Sequence, residues 1–193
     1  MNSGKYENVS DNKLVEFAMA DDHDAFAEII RRHKERLMRS AYLMLRNTED
    51  AYDVVQNSFI KAFKKLKQFR NESSLYTWLY SIMRNCALDF MRERNNLVVN
   101  SLEDNFITNT IYDKDSSAEK EIINNELHEV IIQAIDQLPK KQKEIIILRE
   151  IENLSYKEIA DLLKCNEGTV MSRLYYARET LRIILEPYTG KKV

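Results

Sequence analysis

The sequence predicts an all-α protein made of two small helical domains joined by an acidic flexible linker. Only 3 Gly and 2 Pro occur in 193 residues, and these are the residues that most strongly interrupt helices. Apolar residues recur with helical spacing in both halves of the chain, whereas the stretch between the halves lacks that spacing. A chain of this length has room for two small domains, each with its own core.

The first domain is predicted to span residues 1–94. Its apolar repeats predict helices at about 25–46, 49–66 and 75–93. A break at "KQFRNESS" separates the last two helices, and Asn47 or Thr48 is the expected cap of the middle one. Phe63, Leu79 and Ile82 are expected in the core.

A linker is predicted at residues 95–119, which are rich in Asn, Asp and Ser and show no sustained periodicity. Residues 96–126 carry seven acidic side chains against two basic ones, while residues 60–94 carry eight basic against three acidic. The formal net charge of -2 therefore hides a basic block followed by an acidic one. It excludes a uniformly basic nucleic-acid binder, but it does not exclude a local basic surface.

The second domain is predicted to span residues 120–193. A helix that begins near residue 120 should end at Pro139, because proline cannot continue a helix. Further helices are expected at about 141–152, 155–163 and 167–185.

The last two of these helices have the pattern of a helix-turn-helix at about residues 155–182. Ser155 and Glu158 have the spacing of a capping box, and Asn166 can cap the second helix. Ala160 is small where a second helix has to cross closely. A short helix, a tight turn and a longer helix form the usual DNA-binding arrangement.

The second helix of this motif is expected to bury Val170, Leu174, Ala177 and Leu181. Its other side chains suit base edges, phosphates or thymine methyl groups. The side chains predicted to bind DNA are Thr169, Met171, Ser172, Arg173, Tyr175, Tyr176 and Arg178.

Basic and aromatic side chains alternate in residues 61–94, "KAFKKLKQFRNESSLYTWLYSIMRNCALDFMRER". Aromatic rings beside cations are what unpaired bases need, because stacking replaces the lost base stack while the cations hold phosphates. Two interpretations of this stretch stay open, a site for single-stranded nucleic acid and ordinary core packing of most of the rings. The presence of a helix-turn-helix in the same chain favours the first.

The chain resembles bacterial RNA polymerase sigma factors of the extracytoplasmic-function (ECF) class. The resemblance rests on two stretches in the family's order, "DAYDVVQNSFIKAFKKLKQFRNESSLYTWLYSIMRNCALDFMRER" for sigma domain 2 and "LPKKQKEIIILREIENLSYKEIADLLKCNEGTVMSRLYYARETL" for sigma domain 4. It implies that domain 2 binds core RNA polymerase and melts the −10 element, and that domain 4 reads the duplex −35 element.

The resemblance also assigns residues to these roles. The expected core polymerase-binding residues are Asp50, Asp53, Gln56, Phe59, Ile60 and Phe63. The expected −10 residues are Arg70, Asn71, Ser73, Ser74, Tyr76, Trp78, Arg84 and Asn85. The acidic linker resembles the segment that threads toward the polymerase active site and RNA-exit channel.

Four positions depart from the family pattern, and one of them is Asn166, which stands where Ser or Pro is common. Lys164 stands in the turn where the family often has Gly, and Met171 and Tyr176 stand where many members carry a basic residue. Fewer phosphate contacts, and hence a shallow salt dependence of −35 binding, are expected.

The resemblance further implies an anti-sigma factor that blocks the polymerase-binding surfaces and that often sits in the membrane. We expect a cytoplasmic protein, either free or held at the membrane by such a partner, because no apolar segment predicts insertion. The alternatives are a stand-alone helix-turn-helix regulator and an adaptor that binds only proteins. Neither catalysis nor a cofactor is predicted, and Cys86 and Cys165 have no metal-site spacing and are expected to be free thiols.

Overall fold

The computed structural model of the protein describes residues 5–100 and 129–188, with side chains described except at 95–100. These residues form two compact units, 5–100 and 129–188. Within them every regular element is helical, which confirms the predicted all-α class. The predicted boundary at residue 119 and most of the predicted linker lie outside the described residues.

The first unit is a helical bundle. Its helices are α1 (Asp11–Met19), α2 (His23–Leu45), α3 (Thr48–Lys65), a 3₁₀ turn (Leu66–Gln68) and α4 (Leu75–Asn100). Helix α3 packs against both α2 and α4. Asn47 caps α3 by accepting a hydrogen bond from the backbone N–H of Asp50 at 2.9 Å, as expected. Helix α4 continues to Asn100, beyond the predicted end near residue 93.

The bundle core takes one face of each helix. Leu14, Ile29 and Leu37 are fully buried on α1 and α2, and Leu79, Tyr80 and Met83 are fully buried on α4. Phe63 was expected among them but is 41% exposed. Its ring instead packs edge-on against Phe26 of α2, with 4.9 Å between the ring centroids, at the rim of the bundle.

Arg32 of α2 fastens the segment before α1 to the bundle. Its guanidinium donates to the carbonyl oxygens of Tyr6 at 2.6 Å and Val9 at 2.7 Å, and it also reaches Asp11 and Glu28 at 3.0 and 2.8 Å. Arg32 is only 20% exposed, whereas its neighbour Arg31 is 65% exposed. Hydrogen bonds from Arg31 and Arg32 lower the pKa of Glu28 to about 2.

The second unit is also helical. A helical stretch at 129–136 (α5) precedes α6 (Lys140–Ile146), which continues as a π-helical segment (Ile147–Ile151). Helices α7 (Tyr156–Leu163) and α8 (Glu167–Leu185) follow. The predicted helix at 141–152 therefore exists, but its second half is π-helical. The predicted start near residue 120 lies outside the described residues.

Helices α7 and α8 form the predicted helix-turn-helix. Ser155 and Glu158 make a reciprocal capping box, and Asn166 accepts the backbone N–H of Thr169 at 2.7 Å. Lys164 ends α7 in the left-handed conformation with φ 52°. The predicted inward side chains Val170, Leu174 and Ala177 are buried, and Leu181 is half-buried.

Candidate nucleic-acid and protein interfaces

An apolar groove lies between α2 and α3 in the first unit, with a volume of about 380 Å³. Its lining comes from Phe26, Ile30 and Lys34 of α2 and from Tyr52, Val55, Gln56, Phe59, Ile60, Phe63 and Lys64 of α3. Ile60 and Phe63 are 48% and 41% exposed. Large apolar side chains that cluster at the surface indicate a binding site for another molecule.

Four of the six predicted polymerase-binding residues line this groove. Gln56, Ile60 and Phe63 are exposed there, and Phe59 is buried and forms part of its base. Asp53 is exposed on the same helix but does not line the groove.

Asp50 lies at the start of α3 and serves the bundle itself. Its carboxylate lies 3.0 Å from the guanidinium of Arg94 on α4, and it is only 23% exposed. This ion pair joins the first turn of α3 to the long helix α4. The described contacts thus give Asp50 a partner inside the unit.

Sequence reasoning missed the contribution of α2 and of Tyr52 to the groove. Tyr52 is 49% exposed, and the ammonium of Lys34 lies 5.2 Å from the centre of its ring. Tyr52 could have been predicted from the sequence, because residues 52, 56, 60 and 63 have helical spacing and so lie along one side of α3. The α2 residues had no such signal, since only the fold brings them to α3.

The segment between the 3₁₀ turn and α4 holds four of the predicted −10 residues. Arg70, Asn71 and Ser74 are exposed, and Ser73 is half-buried. Asn71 adopts the left-handed conformation with φ 57°. Ser74 accepts the backbone N–H of Thr77 at 3.0 Å and so caps the start of α4. Arg70 and Asn71 are exposed beside the acidic Glu72, which is exposed as well.

The predicted −10 residues on α4 divide between surface and core. Trp78 is half-buried against Phe69, with ring centroids 5.2 Å apart, while Asn85 is exposed and Arg84 is half-buried.

Tyr76 was expected to bind the −10 strand, but it is only 5% exposed. The guanidinium of Arg36 on α2 lies 3.7 Å from the centre of its ring, and His33 and Tyr80 pack at 5.8 and 6.3 Å. No base can stack on a ring that is covered in this way, so the structure places Tyr76 in the core.

The outer face of α8 is predominantly apolar near its start. Met171, Tyr175 and Tyr176 are 50%, 67% and 61% exposed. The two tyrosine rings meet edge to face, with centroids 5.5 Å apart. Residues 171 and 175 are one helical turn apart, so Met171 and Tyr175 lie on the same side of α8.

Three polar side chains of this face have partners in the chain. The Thr169 hydroxyl donates to the Asn166 side chain at 2.8 Å, and the Ser172 hydroxyl donates to the Thr169 carbonyl at 3.1 Å. Arg178 donates two hydrogen bonds to one carboxylate oxygen of Glu150, at 2.7 and 3.0 Å. Arg173 is half-buried beside them.

Glu150, which the sequence did not single out, pairs with Arg178, one of the predicted −35 residues. It lies in the π-helical segment, 28 positions before Arg178, and both side chains are about half exposed. Further along α8, a hydrogen bond from Arg182 lowers the pKa of Glu179.

Both cysteines are free, as expected, with Cys86 buried and Cys165 half-buried. Over 5–94 and 129–188 no cluster of His, Cys, Asp and Glu is arranged to hold a metal ion. Among the described helices, none combines the length and apolar character of a membrane span.

The fold and these surfaces define a helical protein with an exposed apolar groove in its first unit and a helix-turn-helix in its second. Residues 29–96 match the family Sigma-70 region 2, and residues 128–181 match Sigma-70, region 4. The two matched stretches contain the groove and the helix-turn-helix, respectively.

Curated relatives match along nearly the whole chain. An ECF RNA polymerase sigma-E factor of Haemophilus influenzae is 35% identical over 188 residues, which cover 94% of this chain and 98% of that protein. The ECF RNA polymerase sigma-E factor of Escherichia coli is also 35% identical, with 94% and 97% covered. The chain therefore belongs to the ECF RNA polymerase sigma factors, which are transcription initiation factors.

Solved structures agree with this fold. The sigma factor RpoE of Bartonella quintana, solved in complex with the anti-sigma factor NepR, superimposes with a TM-score of 0.70 at 27% identity, covering 83% of this chain and 96% of that one. CnrH, solved with the cytosolic domain of CnrY, gives a TM-score of 0.68 at 24% identity, with 92% and 97% covered, and it supports the fold alone.

Proposed function

We propose that this chain binds core RNA polymerase and directs promoter-specific initiation by reading the −10 and −35 elements. The observation that carries the proposal is the presence of both sigma regions in one chain, each with an exposed binding surface. The first unit offers the groove and the loop before α4, and the second offers α8. The chain acts in this role as a binding subunit and not as an enzyme.

The groove between α2 and α3 is the proposed polymerase-binding surface. Ile60 and Phe63 supply exposed apolar area, and Lys34 and Lys64 place positive charge beside it. An amphipathic helix of the polymerase with acidic flanks would fit such a groove. Asp53 and Gln56 are proposed to make polar contacts alongside.

The loop at residues 69–74 and the start of α4 are the proposed −10 site. Arg70 and Asn71 are exposed for phosphate and base contacts, and the half-buried Trp78 rests on Phe69. A flipped base needs an aromatic or apolar wall and polar groups for its Watson–Crick edge. Trp78 is the proposed wall, and Asn85 and Arg84 lie farther along the same helix.

Helix α8 is the proposed −35 reader. The second helix of a helix-turn-helix enters the major groove with its N-terminal residues toward the bases. Thr169, Ser172 and Arg173 lie in that part of α8 with the exposed Met171 and Tyr175. Each unit alone offers few DNA contacts, so the free chain should bind promoters poorly. When the polymerase holds both units at the promoter, binding of one unit should favour binding of the other.

An anti-sigma factor is a proposed further partner. Support comes from the Bartonella sigma factor, whose structure contains the anti-sigma factor NepR. We also propose that the protein acts in the cytoplasm, where polymerase and promoters are found, and that such a partner can hold it at the membrane.

Run-off transcription with purified core polymerase tests the proposal. We expect promoter-specific transcripts only when the chain is added. Transcripts that do not depend on the chain would contradict a sigma role. Tight operator binding by the chain alone would indicate a stand-alone regulator, and binding to proteins without any DNA binding would indicate an adaptor.

Two variants test the division of labour. Asp53→Ala should weaken core polymerase binding and leave −35 affinity unchanged within the assembled complex. Arg173→Ala should weaken promoter use and leave core binding unchanged. Equal loss of core binding in both variants would refute the assignment.

A further inference from the structure

The outer face of α8 carries three large, exposed side chains at the level where a recognition helix meets bases. Met171, Tyr175 and Tyr176 are half or more exposed there. Exposed apolar groups of this size gain free energy only when a partner removes them from water. The partner that a helix-turn-helix presents this face to is duplex DNA.

Three polar side chains on the same face already have partners within the chain. The hydroxyl protons of Thr169 and Ser172 are donated to Asn166 and to the Thr169 carbonyl, and Arg178 is held by two bonds to Glu150. The hydroxyl protons of Thr169 and Ser172 would have to leave these acceptors before they could be donated to a base edge, and turning Arg178 toward the bases would cost its ion pair with Glu150. The apolar side chains need no such rearrangement.

The major groove offers one apolar feature that distinguishes base pairs, namely the 5-methyl group of thymine. We propose that α8 reads the −35 element chiefly through thymine methyl groups, contacted by Met171, Tyr175 and Tyr176. The edge-to-face pairing of the two tyrosines limits their freedom before binding, and a tyrosine side chain loses little conformational entropy on contact. This inference rests on the proposed function and adds the chemical basis of its specificity.

The main experiment removes methyl groups one at a time. The reconstituted holoenzyme is bound to a promoter fragment mapped by run-off transcription, and each thymine of the −35 element is replaced by deoxyuridine. Deoxyuridine keeps every hydrogen-bonding group of thymine, so only the methyl contact is lost. Burial of one methyl-sized group predicts about a fourfold loss of affinity at each contacted thymine. Deoxyuridine in the spacer between the two elements is the matched control and should have no effect.

Protein variants link the methyl groups to side chains. In Met171→Ala and Tyr175→Ala, the deoxyuridine effect should fall below about twofold at the thymine that each side chain contacts, because the methyl no longer has a partner. Tyr175→Phe removes only the hydroxyl and should retain the fourfold effect. Tyr188→Ala, at an equally exposed tyrosine beyond the end of α8, should behave as the unmodified chain.

Salt dependence provides a second readout. Loss of an apolar contact releases no counterion, so Met171→Ala should lower affinity equally at low and high salt. Arg173→Ala removes a positive charge from the DNA-facing part of α8 and should instead reduce the salt slope by about one ion.

Three results would overturn the inference. Deoxyuridine could be tolerated at every −35 thymine while the element remains protected, or its effect could be unchanged in both alanine variants. Alternatively, Met171→Ala and Tyr175→Ala could lower affinity for core polymerase with no sensitivity to methyl loss, which would make this face a protein-docking surface. Absence of any protection of a −35 element by the unmodified holoenzyme would refute the proposed function itself and is distinguishable from all three.

Discussion

Arg31 and Arg32 are neighbours on α2, and both bond to Glu28, yet the structure predicts very different costs of removing them. Arg31 is 65% exposed, and its described bonds reach only Glu28, at 2.7 Å. Arg32 is 20% exposed and bridges Glu28, Asp11 and the carbonyls of Tyr6 and Val9. The matched pair therefore separates a surface ion pair from a partly buried tether.

The magnitude follows from the bonds that each alanine variant loses. Arg31→Ala removes an exposed pair spaced three residues apart, which contributes about 0.3–0.5 kcal/mol. Arg32→Ala removes two short bonds to carbonyls and one ion pair to Asp11, at about 1 kcal/mol or more each when partly buried. Glu28 keeps Arg31 as a partner in that variant, so no further cost for an unpaired carboxylate applies. We expect a loss of about 3 kcal/mol.

Urea unfolding of the full chain, followed by tryptophan fluorescence, measures this difference. Trp78 is the only tryptophan and lies in the first unit, so its signal reports that unit. A loss of about 3 kcal/mol lowers the urea midpoint by roughly 1–3 M. Arg32→Lys retains the charge without the planar fork and should recover less than half of the loss. Unfolding free energies of Arg31→Ala and Arg32→Ala that differ by less than about 1 kcal/mol would refute the conclusion that Arg32 holds the segment before α1 to the bundle.

Three further outcomes are expected. Lys164→Gly should stabilise the second unit by about 1 kcal/mol in circular-dichroism unfolding, because residue 164 has φ 52°, a left-handed conformation that glycine adopts without strain. Lys164→Ala keeps a Cβ and should not stabilise the unit, so an equal gain in both variants would contradict the prediction. Gly168→Ala should stabilise the fold by up to about 1 kcal/mol, since an added Cβ would meet only Asn166, at an ordinary 3.5 Å. Footprinting of the same variant tests whether DNA approaches this turn closely. A close approach predicts weaker −35 protection, and unchanged protection would exclude it. The Glu28 pKa is lowered to about 2, so the stabilising effect of the Glu28 carboxylate is complete above pH 4.5 and is lost as the pH falls toward 2. In Glu28→Gln, unfolding followed by Trp78 fluorescence should show a smaller loss of stability between pH 4.5 and 2. An unchanged dependence of the unfolding free energy on pH would contradict the prediction.

Local signals in the sequence were sufficient for most of the helix-turn-helix. Capping residues and apolar spacing predicted α8 at 167–185, and the structure places it at the same residues. Ser155, Glu158 and Asn166 act within three residues of their partners. Such interactions depend on the near sequence alone, so they can be read without the fold.

Burial of individual side chains was less predictable, because it depends on which helix covers which stripe. Helix α3 has two neighbouring apolar stripes, and periodicity could not tell that Val54 and Val55 are buried while Phe63 lies at the rim. Tyr76 belongs to a basic and aromatic stretch that suggested stacking on bases. Its cover comes from Arg36 and His33 on α2, which only the fold brings near.

Exposed apolar side chains are concentrated on one helix in each unit. Of the ten large apolar residues exposed in the described parts of the chain, seven lie on α3 or α8. Scattered single exposures are ordinary in folded proteins, but concentration on two helices indicates surfaces that become covered. In α8 three polar neighbours, Thr169, Ser172 and Arg178, already bond within the chain, whereas the exposed apolar side chains gain free energy when a partner removes them from water. A promoter bound by the holoenzyme would cover α8 while the polymerase covers the α2–α3 groove, and both surfaces would then contribute to one assembled complex.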